Sequence, residues 1–205
     1  MKLLLTCFEP FGGLSTNSSM ETAAALTGRL PGVTMVKKLL PVSFDMAHLR
    51  LYEAMDEEKP DMVICTGQAA GSAELRVEKV AINCLNTSDL SLGGRALEDA
   101  RILEDAPDAY FSNLPVREMA AAMKAVGVKS AVSYSAGTYV CNYVMFGLME
   151  RIRREKLPVL GGFIHIPLLS SQTEESAELP RIETAAAVAA LEAAVSTAAG
   201  LHEEN

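Results

Sequence analysis

Asp61-Met62-Val63-Ile64-Cys65-Thr66 is apolar at nearly every position and stops at Gly67. A strand with one wet face alternates polar and apolar residues. One that is apolar throughout is covered on both sides, which points to a parallel sheet under helices. The rest of the chain has the same rhythm. Lys2–Phe8, Val33–Val42, Ser130–Tyr134 and Leu160–Ile166 read as further strands. Helical patterns run from about Ser19 to Arg29, from Ser43 to Lys59, and over Val116–Val126, Gly137–Glu155 and Pro180–Ala199. Ser43 is placed to cap a helix with Phe44, Ala47, Leu51 and Met55 on one stripe, and the last helix turns Val188, Leu191 and Val195 inward. Glu74–Asn83 alternates, while residues 86–109 are polar, carry Gly93-Gly94, and read as a loop with little regular structure. Strands alternating with helices predict an α/β fold with a mostly parallel sheet between helical layers. No repeat or linker divides residues 1–205, which are read as a single domain able to bury roughly 70% of its unfolded surface.

Charge removes several function classes. The net charge of −8 and the absence of Trp and of basic runs argue against nucleic acid as a partner. The apolar stretch Ala185–Gly200 is mostly Ala and contains Glu192, so no membrane span is expected there. The N-terminal run is short and meets Glu9-Pro10, which favours a buried first strand over a leader and predicts a cytoplasmic protein. Cys7, Cys65, Cys84 and Cys141 show no metal-ligand spacing, and with three histidines they predict neither metal nor cofactor.

In open α/β sheets, sites form outside the carboxyl ends of strands. His165 ends the strand Leu160–Ile166 and is either a satisfied core residue or a site residue. His48, mid-helix, reads as a partly exposed surface residue, and His202 lies in a polar tail. Cys141 follows a strand and the Gly137 turn, on the first turn of a helix. A thiol there is a packed hydrophobe or a nucleophile, because a helix N-terminus and an imidazolium both favour the thiolate. By this topology Cys141 and His165 share one edge of the sheet. A third group should orient the imidazole, and Glu78, ahead of an apolar run, is the carboxylate that stands out. Its alternative is an ion pair with Lys79 or Arg76 on a wet face. Gly12-Gly13 completes no nucleotide-binding motif; it lets backbone approach a ligand, with Phe8 and Phe11 as walls.

Four stretches together resemble the type I pyroglutamyl peptidases (pyrrolidone-carboxylate peptidases) over nearly the whole chain. They are Cys7-Phe8-Glu9-Pro10-Phe11-Gly12-Gly13 with Asn17; Cys65-Thr66-Gly67-Gln68-Ala69 through Glu78-Lys79-Val80-Ala81-Ile82-Asn83; Ser133 through Asn142; and Gly162-Phe163-Ile164-His165-Ile166-Pro167. The resemblance implies a metal-free cysteine exopeptidase with a three-layer α/β/α sandwich fold, cytoplasmic and often tetrameric, acting on pyroglutamyl peptides. It implies Cys141 as nucleophile, His165 as general acid/base and Glu78 as the group holding the imidazole. Phe8, Phe11, Asn17 and Gln68 are the expected substrate-binding residues. The chain departs from the family pattern at Cys7 (usually Gly), Ser18 (usually Pro), Lys79 (usually Arg) and across Asn86–Arg95, where Ser88 stands in place of an arginine. Those departures keep open a related cysteine amidohydrolase with an altered pocket. A non-enzymatic thiol sensor is the third reading.

Overall fold

The computed structural model describes residues 1–27, 30–88, 97–173 and 178–203. In chain order the elements are β1 (Lys2–Phe8), α1 (Ser18–Ala25), β2 (Thr34–Leu40), α2 (Phe44–Glu58), β3 (Met62–Gln68), β4 (Leu75–Glu78), β5 (Val80–Ile82), β6 (Leu85–Thr87), β7 (Leu97–Ala100), β8 (Ala109–Phe111), α3 (Val116–Ala125), β9 (Ser130–Ser133), α4 (Val140–Arg154), β10 (Leu160–Ile166), β11 (Leu168–Leu169), β12 (Arg181–Ile182) and α5 (Thr184–Glu203). Six strands form the central sheet in the order β2-β1-β3-β10-β4-β9. Every neighbouring pair is parallel except β10 with β4.

The all-apolar reading of β3 is correct: Met62 to Thr66 are fully buried. One face of the sheet packs against α2 and α4 through Phe44, Ala47, Leu51, Phe146 and Met149. The other packs against α1, α3 and α5. On α5 the buried stripe is Ala187, Ala190, Leu191, Ala194, Val195 and Ala198, with Val188 only partly covered. These positions follow the i, i+3, i+4, i+7 pattern of a core-facing helix, and alanines let the helix lie close to its neighbours.

Several boundaries and details differ from the sequence reading. Helix α1 begins at Ser18 because Asn17 caps it, its Oδ1 accepting from the Ser19 amide at 2.9 Å. Ser43 holds the N-cap position of α2 but its side chain makes no capping bond. Helix α4 starts at Val140, three residues after Gly137. Among the described residues of 86–109, most are turn or irregular, as read, but short strands are present as well. Antiparallel β6–β7 and β5–β8 pairs occupy part of them. Asn83 organises the connection, its Oδ1 accepting from Ile102 (2.7 Å) and Leu103 (3.0 Å). Gly93-Gly94 and Arg29 lie outside the described residues.

The largest correction concerns direction. Strand β9 is parallel to β4, and β4 is antiparallel to β10. The carboxyl end of β9 therefore points away from the edge where His165 sits. Cys141 reaches that edge because residues 134–139 double back, with Gly137 in the left-handed region at φ 80°.

Candidate active site

The site forms over the carboxyl ends of β3 and β10. Strand β10 carries Phe163 and His165 on the face covered by α2 and α4, and β3 sets Cys65 beside Phe163 and Gly67 beside His165. Antiparallel β4 places Glu78 opposite Phe163 and Arg76 opposite His165. Glu78 and His165 are thus diagonal neighbours on one face, a spacing that long side chains bridge. His165 Nδ1–H donates to Glu78 Oε1 at 2.8 Å. Glu78 is fully buried and His165 is 8% exposed. The ion pairs with Lys79 or Arg76 weighed from the sequence do not form. Lys79 Nζ instead donates to the Ser112 carbonyl at 3.1 Å.

With Nδ1 engaged, Nε2 is the ring nitrogen left for the sulfur. Burial works against the imidazolium, yet the charge and hydrogen bond of Cys141, followed by those of Glu78, outweigh it and raise the His165 pKa to about 9. Cys141 is half-buried on the first turn of α4. That helix has neither a side-chain cap bond nor an acidic first-turn residue, so no side chain competes for its leading N–H groups. Asn142 pins the helix start to the β5 strand. Its Oδ1 accepts from Ile82 N and its Nδ2 donates to Ile82 O, both at 2.9 Å, and to Cys84 O at 3.1 Å.

Gly67 makes the room. A Cβ there would lie 2.8 Å from Cys141 Sγ and 2.8 Å from the Phe163 ring, closer than packed atoms approach. The other buried thiols have different surroundings. Burial raises Cys65 to about 12 and, against the pull of Lys37, Cys7 to about 11. Cys7 faces the α1, α3 and α5 layer while Phe8 faces the site, so Cys7 is not a pocket residue.

Beside Cys141 is a narrow pocket lined by Phe8, Phe11, Val42, Tyr139, Asn17 and Gln68. Asn17 is spent on structure: besides its cap, Nδ2 donates to Glu9 O at 3.1 Å. Gln68 is held from two sides. Its Oε1 accepts from Ser18 N at 2.9 Å and from Gln172 Nε2 at 2.8 Å. Gln172 is itself oriented, its Oε1 accepting from Leu169 N at 2.9 Å. The chain of donors fixes the Gln68 amide, and its buried Nε2 has no partner among the described residues. Ser18 supplies an N–H that the proline of the family pattern lacks. Ser88, the residue after β6, is exposed.

Sequence reasoning brought Cys141, His165, Glu78, Phe8, Phe11, Asn17 and Gln68 to one place. It missed Gly67 and Asn142 as supports, although both lie inside the quoted motifs. It also missed Gln172, a lone amide in a polar stretch that carries no local signal. His48 is partly exposed, as read, but its ring is not a bystander on the surface. It is wedged between α2 and α4, its Nε2–H donating to Tyr143 O at 2.6 Å and its ring stacked 3.6 Å from that of Tyr143. Gly147 admits it, since a Cβ there would lie 2.1 Å from Nε2.

A thiol, an imidazole and a carboxylate aligned through one ring form the constellation of a cysteine hydrolase. A family model described as pyroglutamyl peptidase matches residues 1–200. The chain is 40% identical over 204 residues to a pyrrolidone-carboxylate peptidase of Erwinia tasmaniensis, covering 99% of this chain and 95% of that one. It superposes on the pyrrolidone carboxyl peptidase from Thermococcus litoralis with a TM-score of 0.93 at 34% identity, covering 99% and 95% of the two chains. On the Bacillus amyloliquefaciens pyroglutamyl peptidase I the TM-score is 0.90 at 38% identity, with 97% of each chain covered. The chain belongs to the pyroglutamyl peptidase family.

Proposed function

We propose that this protein hydrolyses the amide bond following an N-terminal pyroglutamyl residue, with Cys141, His165 and Glu78 as its machinery. The observation carrying this reading is the 2.8 Å bond from His165 Nδ1 to buried Glu78, with Cys141 acting on the same ring. The Cys141 thiolate attacks the pyroglutamyl carbonyl, and the oxygen takes up the negative charge beside the free N–H groups of α4. As the C–N bond breaks, His165 Nε2–H protonates the departing amine, leaving a thioester on Cys141. The neutral imidazole then takes a proton from water, the hydroxide adds to the thioester, and the C–S bond breaks to release pyroglutamate and restore the Cys141 thiolate beside the His165 imidazolium. Glu78 keeps the ring in one tautomer throughout.

The narrow pocket suits the lactam. It has apolar walls in Phe8 and Phe11 and, among the described residues, presents no carboxylate to attract an α-ammonium. Gln68 Nε2–H is a donor with a fixed direction and a vacant acceptor, which the lactam carbonyl fills. A site built to hydrogen-bond a substrate group rejects analogues lacking it by about 10⁴–10⁵. Prolyl amides, isosteric but without the carbonyl, should therefore be refused.

The test is release of the fluorophore from L-pyroglutamyl-aminomethylcoumarin. Wild type should turn it over, and Cys141→Ala should not. Folded wild-type protein that leaves this substrate intact would defeat the reading.

A further inference from the structure

His165 stands between two spaces of unlike character. The Cys141 side is the narrow apolar pocket. The other side is an open groove of about 590 Å³ lined by Arg76, Ser133, Tyr134, Ser135 and Gly137 together with His165. The groove exists because β9 ends short and residues 134–139 turn back past it.

Among the described residues, Arg76 is its only charged side chain apart from the histidine. The antiparallel register puts Arg76 directly opposite His165. Facing pairs project from the same side of the sheet with Cβ atoms about 4.5–5.5 Å apart. Elsewhere arginines find carboxylates, as Arg50, Arg101, Arg151 and Arg154 do. With 26 acidic residues against 18 basic ones, that is the expected outcome. The Arg76 side chain has no hydrogen bond or ion pair among the described residues. The acid nearest to it along β4, Glu78, gives its bonded oxygen to His165. The groove's hydroxyl lining adds no negative charge, and Tyr134 already accepts from Arg117 at 3.2 Å. An unneutralised guanidinium therefore borders the spot where the leaving amine takes its proton.

We propose that this groove receives the leaving residue and that Arg76 binds its free α-carboxylate, so that pyroglutamyl dipeptides are favoured over substrates extended or capped at that position. The inference rests on the peptidase reading above. The α-carboxylate is two bonds from the nitrogen that His165 protonates, so its position is fixed whatever the side chain of that residue. The planar guanidinium fork matches a carboxylate in bidentate fashion. The apolar pocket on the opposite side of the ring has no such group.

The experiment compares pyroglutamyl-alanine with pyroglutamyl-alanine amide by quantifying the released alanine or alanine amide. The readout is the acid-to-amide ratio of kcat/KM within each protein, so any general loss of activity cancels. The ratio should be about tenfold or more higher in wild type than in Arg76→Gln, and Arg76→Lys should fall between them. In wild type the ratio should also shrink as salt rises from 10 mM to about 1 M, where the screening length falls to about 3 Å. An equal ratio in wild type and Arg76→Gln overturns the proposal. If Arg76→Gln does not fold, a wild-type ratio insensitive to salt overturns it. Failure of wild type to cleave either compound would instead sink the peptidase reading, and this subsite with it.

Discussion

His48 and His165 are both packed against aromatic rings in the layer covered by α2 and α4, yet they lie at opposite ends of the titration range. Burial takes His48 down to about 4, despite the hydrogen bond to Tyr143 that opposes it. Burial acts on His165 too, but Cys141 and Glu78 reverse the result and raise it to about 9. Burial alone makes a histidine a neutral packing group. The interactions with Cys141 and Glu78 make His165 an acid that stays charged at neutral pH. The comparison separates a structural from a reactive imidazole without reference to motif.

The sharpest way to break the contrast is to remove the carboxylate. Glu78→Gln should lower kcat/KM by about 10³-fold or more, since the ring loses its orienting acceptor. It should also shift the alkaline limb of the pH–rate profile to lower pH, because a cause of the raised His165 pKa is gone. In wild type, kcat/KM should decline as pH rises through about 9, where the imidazolium that protonates the leaving amine is lost. A limb unmoved by the substitution would count against Glu78 acting on the ring.

Gly67→Ala should cost about 10²-fold in kcat by displacing the sulfur, with thermal unfolding changed far less than activity. Gln172→Leu should act more gently. It frees the Gln68 amide to rotate and should raise KM for pyroglutamyl amides about tenfold while kcat changes less. Equal loss in both constants would place Gln172 outside substrate recognition.

Stability tests the other half of the contrast. The folded pKa of His48 is depressed, so its contribution is present above the unfolded value of about 6.5 and is lost as pH falls toward about 4. The folded pKa of His165 is raised, so its contribution is present below about 6.5 and is lost as pH rises through about 9. His48→Phe should therefore flatten the acid side of a plot of Tm against pH and leave the alkaline side intact. Gly147→Ala, which drives a methyl into the His48 ring, should destabilise by about 1–3 kcal/mol. At about 2–4 °C per kcal/mol this is readily measured by thermal unfolding.

Much of this was legible in the chain because long elements carry strong period. Strands β1, β3 and β10 and the five helices come from seven- to twenty-residue patterns. Strands β6 and β7 have three and four residues, partly polar, and too short to show alternation. Strand direction was hidden as well. Ser130–Tyr134 reads the same whichever way it runs, and only pairing with β4 decides. Cys141, His165 and Glu78 could be singled out in the sequence because each sits in a recognisable context, and the structure sets Glu78 against the His165 ring. Their supports were harder: Gln172 acts across 104 residues, and the seat of His48 is set by a glycine on another helix.

The reversed strand β9 has a consequence for how such a scaffold varies. Because β9 runs against β10, one rim of the reaction centre is drawn from a turn-back segment instead of the stiff end of a strand. Backbone there hydrogen-bonds little into the sheet, so substitutions of its exposed side chains alter the rim that meets the departing group while ring and carboxylate stay on strands held by the ladder. What departs and what is retained are thus met by separate pieces of polypeptide, which substitutions can alter one at a time.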